Sequence, residues 1–312
     1  MISKHNLKIV FMGTPDFAVP SLEKLQQSTH SIEAVVTVPD KPQGRGQKLR
    51  SSPVKLCAHN LGLKVLQPES LKDPDFIHEL QNIAPDLIVV VAFQILPKEV
   101  YTIPTFGSFN LHASLLPKYR GAAPIHWALL NGDSESGVST FFLKAKVDTG
   151  NIIAQRKTAI DPEDNLQTLY EKLRLLGADL VLHTVDIIAA DSITEMAQDD
   201  SLATPAPKVS SETQVLHFEE DCHQCHNRIR AFAPKPGAHT LRNGSRIKFL
   251  STKVSELSGE PGHVIAVSTS SFTIACAQGS LEVTQVQPEG KKSMDVSSYL
   301  LGNPIQLGDH FG

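Results

Sequence analysis

The sequence predicts a two-part α/β protein: a doubly wound, mostly parallel sheet with helices on both faces, then a small β-barrel domain. Three observations predict it. Over the first 190 or so residues, short apolar runs closed by Gly or polar turns alternate with longer amphipathic runs, the pattern of βαβ units. The segment "DLIVVVA" (86–92) is apolar almost throughout, as a strand buried on both faces requires. Late in the chain the runs shorten, and an Asn-Gly pair separates two of them, a hairpin signal.

Taken in order, "LKIVFMG" (7–13) reads as a buried strand and "TPDFAVPSLEKLQQS" as the helix after it. "IEAVVTV" (32–38) is a second strand, followed by a basic loop and a helix near 53–61. A short strand at 63–67 and a helix at 74–83 lead into 86–92. "SFNLHAS" (108–114) and "VSTFFLKA" (138–145) complete the strands, and 165–190 is a long amphipathic helix with a possible break at Gly177. Residues 191–208 hold few large apolar residues and two late prolines, so they read as a linker. These elements set a Rossmann-like domain at 1–190 and an OB-like barrel at 209–312, opened by a helix around 219–231.

Bulk properties narrow the function. At 312 residues, 41% hydrophobic and 20% charged, the chain can bury two cores. A net charge of −4 excludes a protein that grips nucleic acid with its whole surface, though not one with a local basic patch. Four cysteines are too few for a disulfide framework. The opening run lacks a cleavage-site pattern and no segment reaches the roughly 18 apolar residues of a membrane helix, so a cytoplasmic protein with no membrane partner is expected. Nothing demands more than a monomer.

The stretch "FNLHASLLPKYRGAAPIHWALLNGD" (109–133) carries the chemistry. Asn110 and His112 are two apart on a strand and therefore share a face. They stand at the strand's carboxyl end, where open α/β sheets bind ligands. "VDTGN" (147–151) adds Asp148 in a polar turn after another strand. An isolated His in such a place is more often a hydrogen-bonded core residue. With Asn and a carboxylate beside it, the set suits acyl transfer to an amine: amide and imidazolium donors stabilise an oxyanion, and the carboxylate fixes the His, holds it charged and helps remove the amine proton. No Ser or Cys nucleophile accompanies them, which favours direct transfer.

"FNLHASLLPKYRGAAPI" and "VDTG" resemble the motifs of the folate-dependent formyltransferases. "GTPDFAVPSLEKL", "DKPQGRGQKLRSSPVK" and "GKKSM" extend the likeness over both halves of the chain, toward members that act on an aminoacylated initiator tRNA. The resemblance implies transfer of the formyl group of 10-formyltetrahydrofolate to the α-amine of methionine on initiator Met-tRNA, without metal. It implies catalytic roles for Asn110, His112 and Asp148. It places the folate co-substrate beside Phe93, Gln94, Ile95, Leu96, Ser114, Leu115, Leu116, Pro117 and Val147. Gly13, Thr14 and Pro15 are assigned to the methionine end, and Lys41, Arg45, Lys48 and Arg50 to the tRNA, with Arg45 as the main contact. The chain departs from the family in two places. Gln94 follows Phe93 directly, where members usually carry an intervening glycine, and Lys235 stands where an aromatic is common. From Val209 onward, 9 Lys and Arg face 10 Asp and Glu, so tRNA binding by this part must rest on a patch or be weak.

Other motifs have plainer explanations. "CHQCH" (222–226) has haem-like and zinc-like spacing but lacks a second ligand pair; Cys222, Cys225, Ile229 and Phe232 fall instead on one helix face. Gly13 alone does not make a dinucleotide fingerprint. A single Asp-Thr-Gly does not make an aspartic protease. His126 and Trp127 are read as helix packing. Two rival functions remain: a formyltransferase acting on an amino sugar nucleotide, and a catalytically silent tRNA-binding protein.

Overall fold

The computed structural model describes residues 6–43 and 48–312. It divides into two compact units, the first made of Met1–Gly121, Ser136–Thr158 and Tyr170–Pro205, the second of Ala122–Glu135, Ala159–Leu169 and Ala206–Gly312.

The chain starts with β1 (Lys8–Gly13), buried after its first residue, and a 3-10 turn into α1 (Val19–Gln26), which has a proline in its first turn. β2 (Ser31–Val36) follows. The expected basic loop is an antiparallel ribbon of β3 (Lys41–Gln43) and β4 (Lys48–Arg50). α2 (Pro53–Asn60) is capped by Ser52, whose hydroxyl accepts from the Lys55 amide at 3.0 Å. After β5 (Val65–Leu66), α3 (Pro74–Ile83) starts at the Asp73 cap and ends at Ala84 in the left-handed region. β6 (Leu87–Val91) is buried along its length. α4 (Lys98–Tyr101) leads to β7 (Ser108–His112), α5 (Pro124–Leu130), β8 (Glu135–Phe142), β9 (Ile152–Ala159) and α6 (Leu166–Ala189).

The main sheet has the order β5-β2-β1-β6-β7-β8-β9. β1 pairs in parallel with both β2 and β6, and β7 in parallel with β6, whereas β8 runs antiparallel to β7. The chain winds outward from β1 and then restarts at β6 on its other side, so the topological switch point lies between β1 and β6. Gly13 and Val91 sit in register there.

Three local expectations change. β9 escaped prediction because its second half, Gln155–Ala159, is polar and partly or fully exposed and leaves no apolar run. α6 runs unbroken through Gly177, where a Cβ would come within 2.6 Å of Leu111; the glycine serves close helix–sheet approach. The segment expected as a linker is hydrogen-bonded into the first unit as far as Pro205. Met196 exchanges two backbone bonds with Ile152 (2.8 and 2.9 Å), and Arg120 donates to Thr204 at 2.9 Å.

In the second unit, Asp221 caps α7 (Cys222–Phe232) in a reciprocal box with Gln224. Cys222, Cys225, Ile229 and Phe232 are buried on its inner face. β10 (Ala238–Arg242) and β11 (Ser245–Ser255) join through Asn243 and Gly244, both at positive φ (52° and 76°), the turn that Asn-Gly favours. β12 (Val264–Val267), β13 (Phe272–Ala275), β14 (Ser280–Pro288) and β15 (Met294–Asp295) follow, then α8 (Val296–Gly302). The antiparallel path is β10-β11-β14-β13-β12, with β15 on β14. Register shifts around Ser251 bend β11. Phe249 anchors the core, its ring 5.7–6.4 Å from those of Phe218, Phe272 and Phe311. His126 packs 5.5 Å from Phe232, and Trp127 donates its indole N–H to the Pro207 carbonyl at 2.8 Å.

Candidate active site

The site forms at the carboxyl ends of β6 and β7, beside the switch point. Asn110 and His112 lie on one face of β7, opposite Phe141 and Ser139 of β8. The Asn110 amide is half-buried and makes no side-chain hydrogen bond among the described residues, so both its donors are available. His112 is buried, and its Nε2 stands 2.8 Å from the Tyr119 carbonyl. A carbonyl can only accept, so Nε2 carries a proton. Nδ1 therefore faces the Asp148 carboxylate, 3.9 Å away, with both side chains nearly shielded from solvent. That gap is too long for a direct hydrogen bond, yet one small polar atom can sit about 2.8 Å from both groups.

The two loops that hold this pair have left-handed backbone at non-glycine residues, Tyr119 at φ 63° and Asp148 at φ 55°. Such positions cost about 1–3 kcal/mol and gather at functional sites. Gly121, at φ 127°, donates its amide to the Asp148 carboxylate at 2.9 Å. Gly150 follows because a Cβ there would fall 1.5 Å from the Phe142 carbonyl oxygen. The imidazole is thus oriented by a backbone carbonyl rather than by Asp148, and Asp148 by a backbone amide. Sequence reasoning missed Tyr119 and Gly121, whose contributions are main-chain groups with no side-chain signature.

Residues expected around folate divide by exposure. Leu96 and Leu116 are buried in hydrophobic clusters, the latter with Phe141 and Ile152, and offer little side-chain surface to a ligand. Phe93 packs half-buried on the first cluster, after Ala92 at φ 48°. Ile95 and Val147 leave 75% and 48% of their surface uncovered, exposed apolar side chains. Gln94 is exposed, and Leu115 and Pro117 are partly so. Ser114 is buried and ties its own loop by donating to the Lys118 carbonyl at 2.6 Å.

At the methionine-end positions, Gly13 has a packing reason, since a Cβ would meet Ala18 at 2.9 Å and the Val91 carbonyl at 3.0 Å. The Thr14 hydroxyl is buried without a partner among the described residues. The Pro15 carbonyl accepts from Ala18 at 3.1 Å. On the ribbon, Lys41 and Arg50 are exposed and directly opposite one another, a like-charge pair that an anion would relieve. Lys48 pairs with Gln43 in the ladder. Arg45 lies outside the described residues. Lys55, counted in the same basic run, is bound to Asp40 at 2.7 Å; that bond, with a second from Gln67, holds the Asp40 carboxyl below its usual range.

Asp221, Cys222 and His223 bring possible metal ligands within 4.8 Å of one another. The Asp221 carboxylate is engaged as the helix cap, donated to by the His223 amide at 2.7 Å. Burial raises the Cys222 thiol above its ordinary pKa, against the thiolate a metal needs.

Residues 7–185 match the formyl transferase family, and residues 208–304 match the formyl transferase C-terminal domain. Among curated proteins, the chain is 46% identical over 309 residues to methionyl-tRNA formyltransferase of Moorella thermoacetica, covering 98% of this chain and 99% of that protein. It is 41% identical over 307 residues to methionyl-tRNA formyltransferase of Geobacter metallireducens, covering 98% and 99%. Among solved structures, it superposes with a TM-score of 0.68 on WlaRD, a sugar 3N-formyl transferase determined with dTDP and 5-N-formyl-THF. That match spans 92% of this chain and 100% of the other at 24% identity, a likeness of fold.

Proposed function

The chain belongs to the formyl transferase family, and from that premise we propose that it formylates the α-amine of methionine on initiator Met-tRNA, with 10-formyltetrahydrofolate as donor. The observation that carries the acceptor is similarity to methionyl-tRNA formyltransferases over both units, at up to 46% identity and 98% of this chain. The ribbon cations Lys41 and Arg50 support it, as does the apolar surface of Ile95 and Val147 for a pterin.

The residues divide the work as follows. The acceptor amine, with an ordinary pKa near 8 or below, is largely nucleophilic at neutral pH. It attacks the formyl carbon, and the carbonyl oxygen becomes an oxyanion. Asn110 donates to that oxygen from its unengaged amide. In its imidazolium form, with Asp148 beside it, His112 also donates, from Nδ1, because Nε2 is committed to Tyr119. Asp148 takes up the proton lost by the amine. As the intermediate collapses, the bond from the formyl carbon to the donor nitrogen breaks and that nitrogen receives the proton. One proton moves, no electrons are exchanged, and no metal is required. Preorganised donors of this kind are worth on the order of 10²–10³ in rate each.

The test offers the protein two acceptors with the same formyl donor: charged initiator tRNA and a nucleotide-linked amino sugar. Formylation of the tRNA alone is expected. Formylation of the sugar alone would replace this reading with the sugar-nucleotide one. Binding of tRNA with no product would replace it with the silent binder.

A further inference from the structure

We propose that Gln198 is a positioning residue for Asp148, and that the segment 196–205 is part of the active-site framework. The Gln198 amide nitrogen donates to two carbonyls, those of Asp148 (2.9 Å) and Gly150 (2.8 Å). Its carbonyl oxygen accepts twice from one guanidinium, Arg120 Nε at 3.0 Å and Nη2 at 2.8 Å. All four bonds agree on one amide orientation, because carbonyls only accept and guanidinium only donates. Arg120 is fixed in turn by Asp200 at 2.7 Å, and the backbone on either side by Thr204, which accepts from the Tyr119 amide through Oγ1 and from the Arg120 amide through its carbonyl, both at 2.9 Å.

The consequence is a closed circuit. Residues 119–121 touch both reacting side chains: the Tyr119 carbonyl holds His112, and the Gly121 amide holds the Asp148 carboxylate. Gln198 joins that run, through Arg120, to the backbone that carries Asp148. The side-chain bonds and the main-chain bonds therefore fix the 3.9 Å spacing of His112 and Asp148 from two directions. Asp148 holds left-handed backbone without being glycine, and a pinned carbonyl at that residue keeps it there. A displacement of about 1 Å at such a site can cost 10²-fold in rate.

The assignment rests on the proposed reaction, and the experiment separates the two. Gln198→Glu keeps the shape and the partner Arg120 but loses both donors to Asp148 and Gly150. Gln198→Met removes the amide without adding charge. Both variants are expected to lower kcat at least ~10-fold while KM for donor and tRNA stays within about twofold and Tm moves little. On an Asp148→Asn background the same substitutions should have little further effect, since the group being positioned is already gone. Exchange of the Gly121 amide hydrogen, which needs no substrate, should accelerate at least ~5-fold in both variants. Unchanged kcat, equal losses in both backgrounds, or unchanged Gly121 exchange would overturn the positioning role. If wild type fails to formylate Met-tRNA, the functional reading falls, and the Gly121 exchange still decides whether Gln198 holds Asp148.

Discussion

At the scale of residues, the proposed mechanism divides the work between side chains that react and main-chain groups that aim them. His112 owes its ring orientation to one carbonyl, and Asp148 its direction to one amide. Asp148→Asn therefore keeps an oxygen for Gly121 and keeps the fold, but removes the base. Steady-state kinetics should show kcat lowered about 10²–10⁴-fold with Tm within a few degrees; retention of kcat would mean the proton leaves by another route. Asn110, His112 and Asp148 stood out in the sequence only as a set, an amide and an imidazole two apart on a strand and a carboxylate in a later turn, inside motifs that resemble those of formyltransferases. Tyr119 and Gly121 did not, because a main-chain donor or acceptor is chosen by backbone conformation, and residue type records it weakly. Gln198 and Thr204 sit in a stretch with no periodicity, so their contacts across the fold left no pattern to read.

At the scale of elements, glycines mark where backbone must approach backbone. Gly150 lies under the Phe142 carbonyl, with no room for a Cβ. Gly150→Ala should cost about 1–3 kcal/mol by overpacking, seen as a lower denaturant midpoint, and should displace Asp148 and depress turnover with it. An unchanged midpoint would show that the end of β8 yields freely. Helices with clear caps were read closely from sequence: α3 matches its expected 74–83, since Asp73 and Pro74 announce its start. β9 was invisible because its outer half is polar. The proposed break at Gly177 was wrong for a physical reason, since glycine there answers to Leu111 and not to the helix axis.

At the scale of the whole molecule, the order of strands was predictable in class and not in detail. Alternating runs imply a doubly wound sheet, but the antiparallel β8 beside β7 depends on pairings that no local pattern encodes. The second unit gathers three histidines, His126, His226 and His239, each lowered from its ordinary pKa with burial as the main cause. The unfolded chain binds protons at these sites near pH 6.5 while the folded chain does not. Their contribution to stability is therefore present above that pH and is lost as pH falls toward the depressed folded values. Thermal melts should show Tm decreasing between pH 7.5 and 5.5, and His226→Gln should flatten that slope; an identical slope in the variant would remove His226 from the account.

The most direct test of the central claim is formyl transfer from 10-formyltetrahydrofolate to charged initiator tRNA, measured for wild type and His112→Ala side by side. Product is expected with wild type, and turnover at least ~10²-fold lower with the variant. Equal turnover by the two proteins would contradict the claim, because the imidazole held between Tyr119 and Asp148 would then have no part in the reaction.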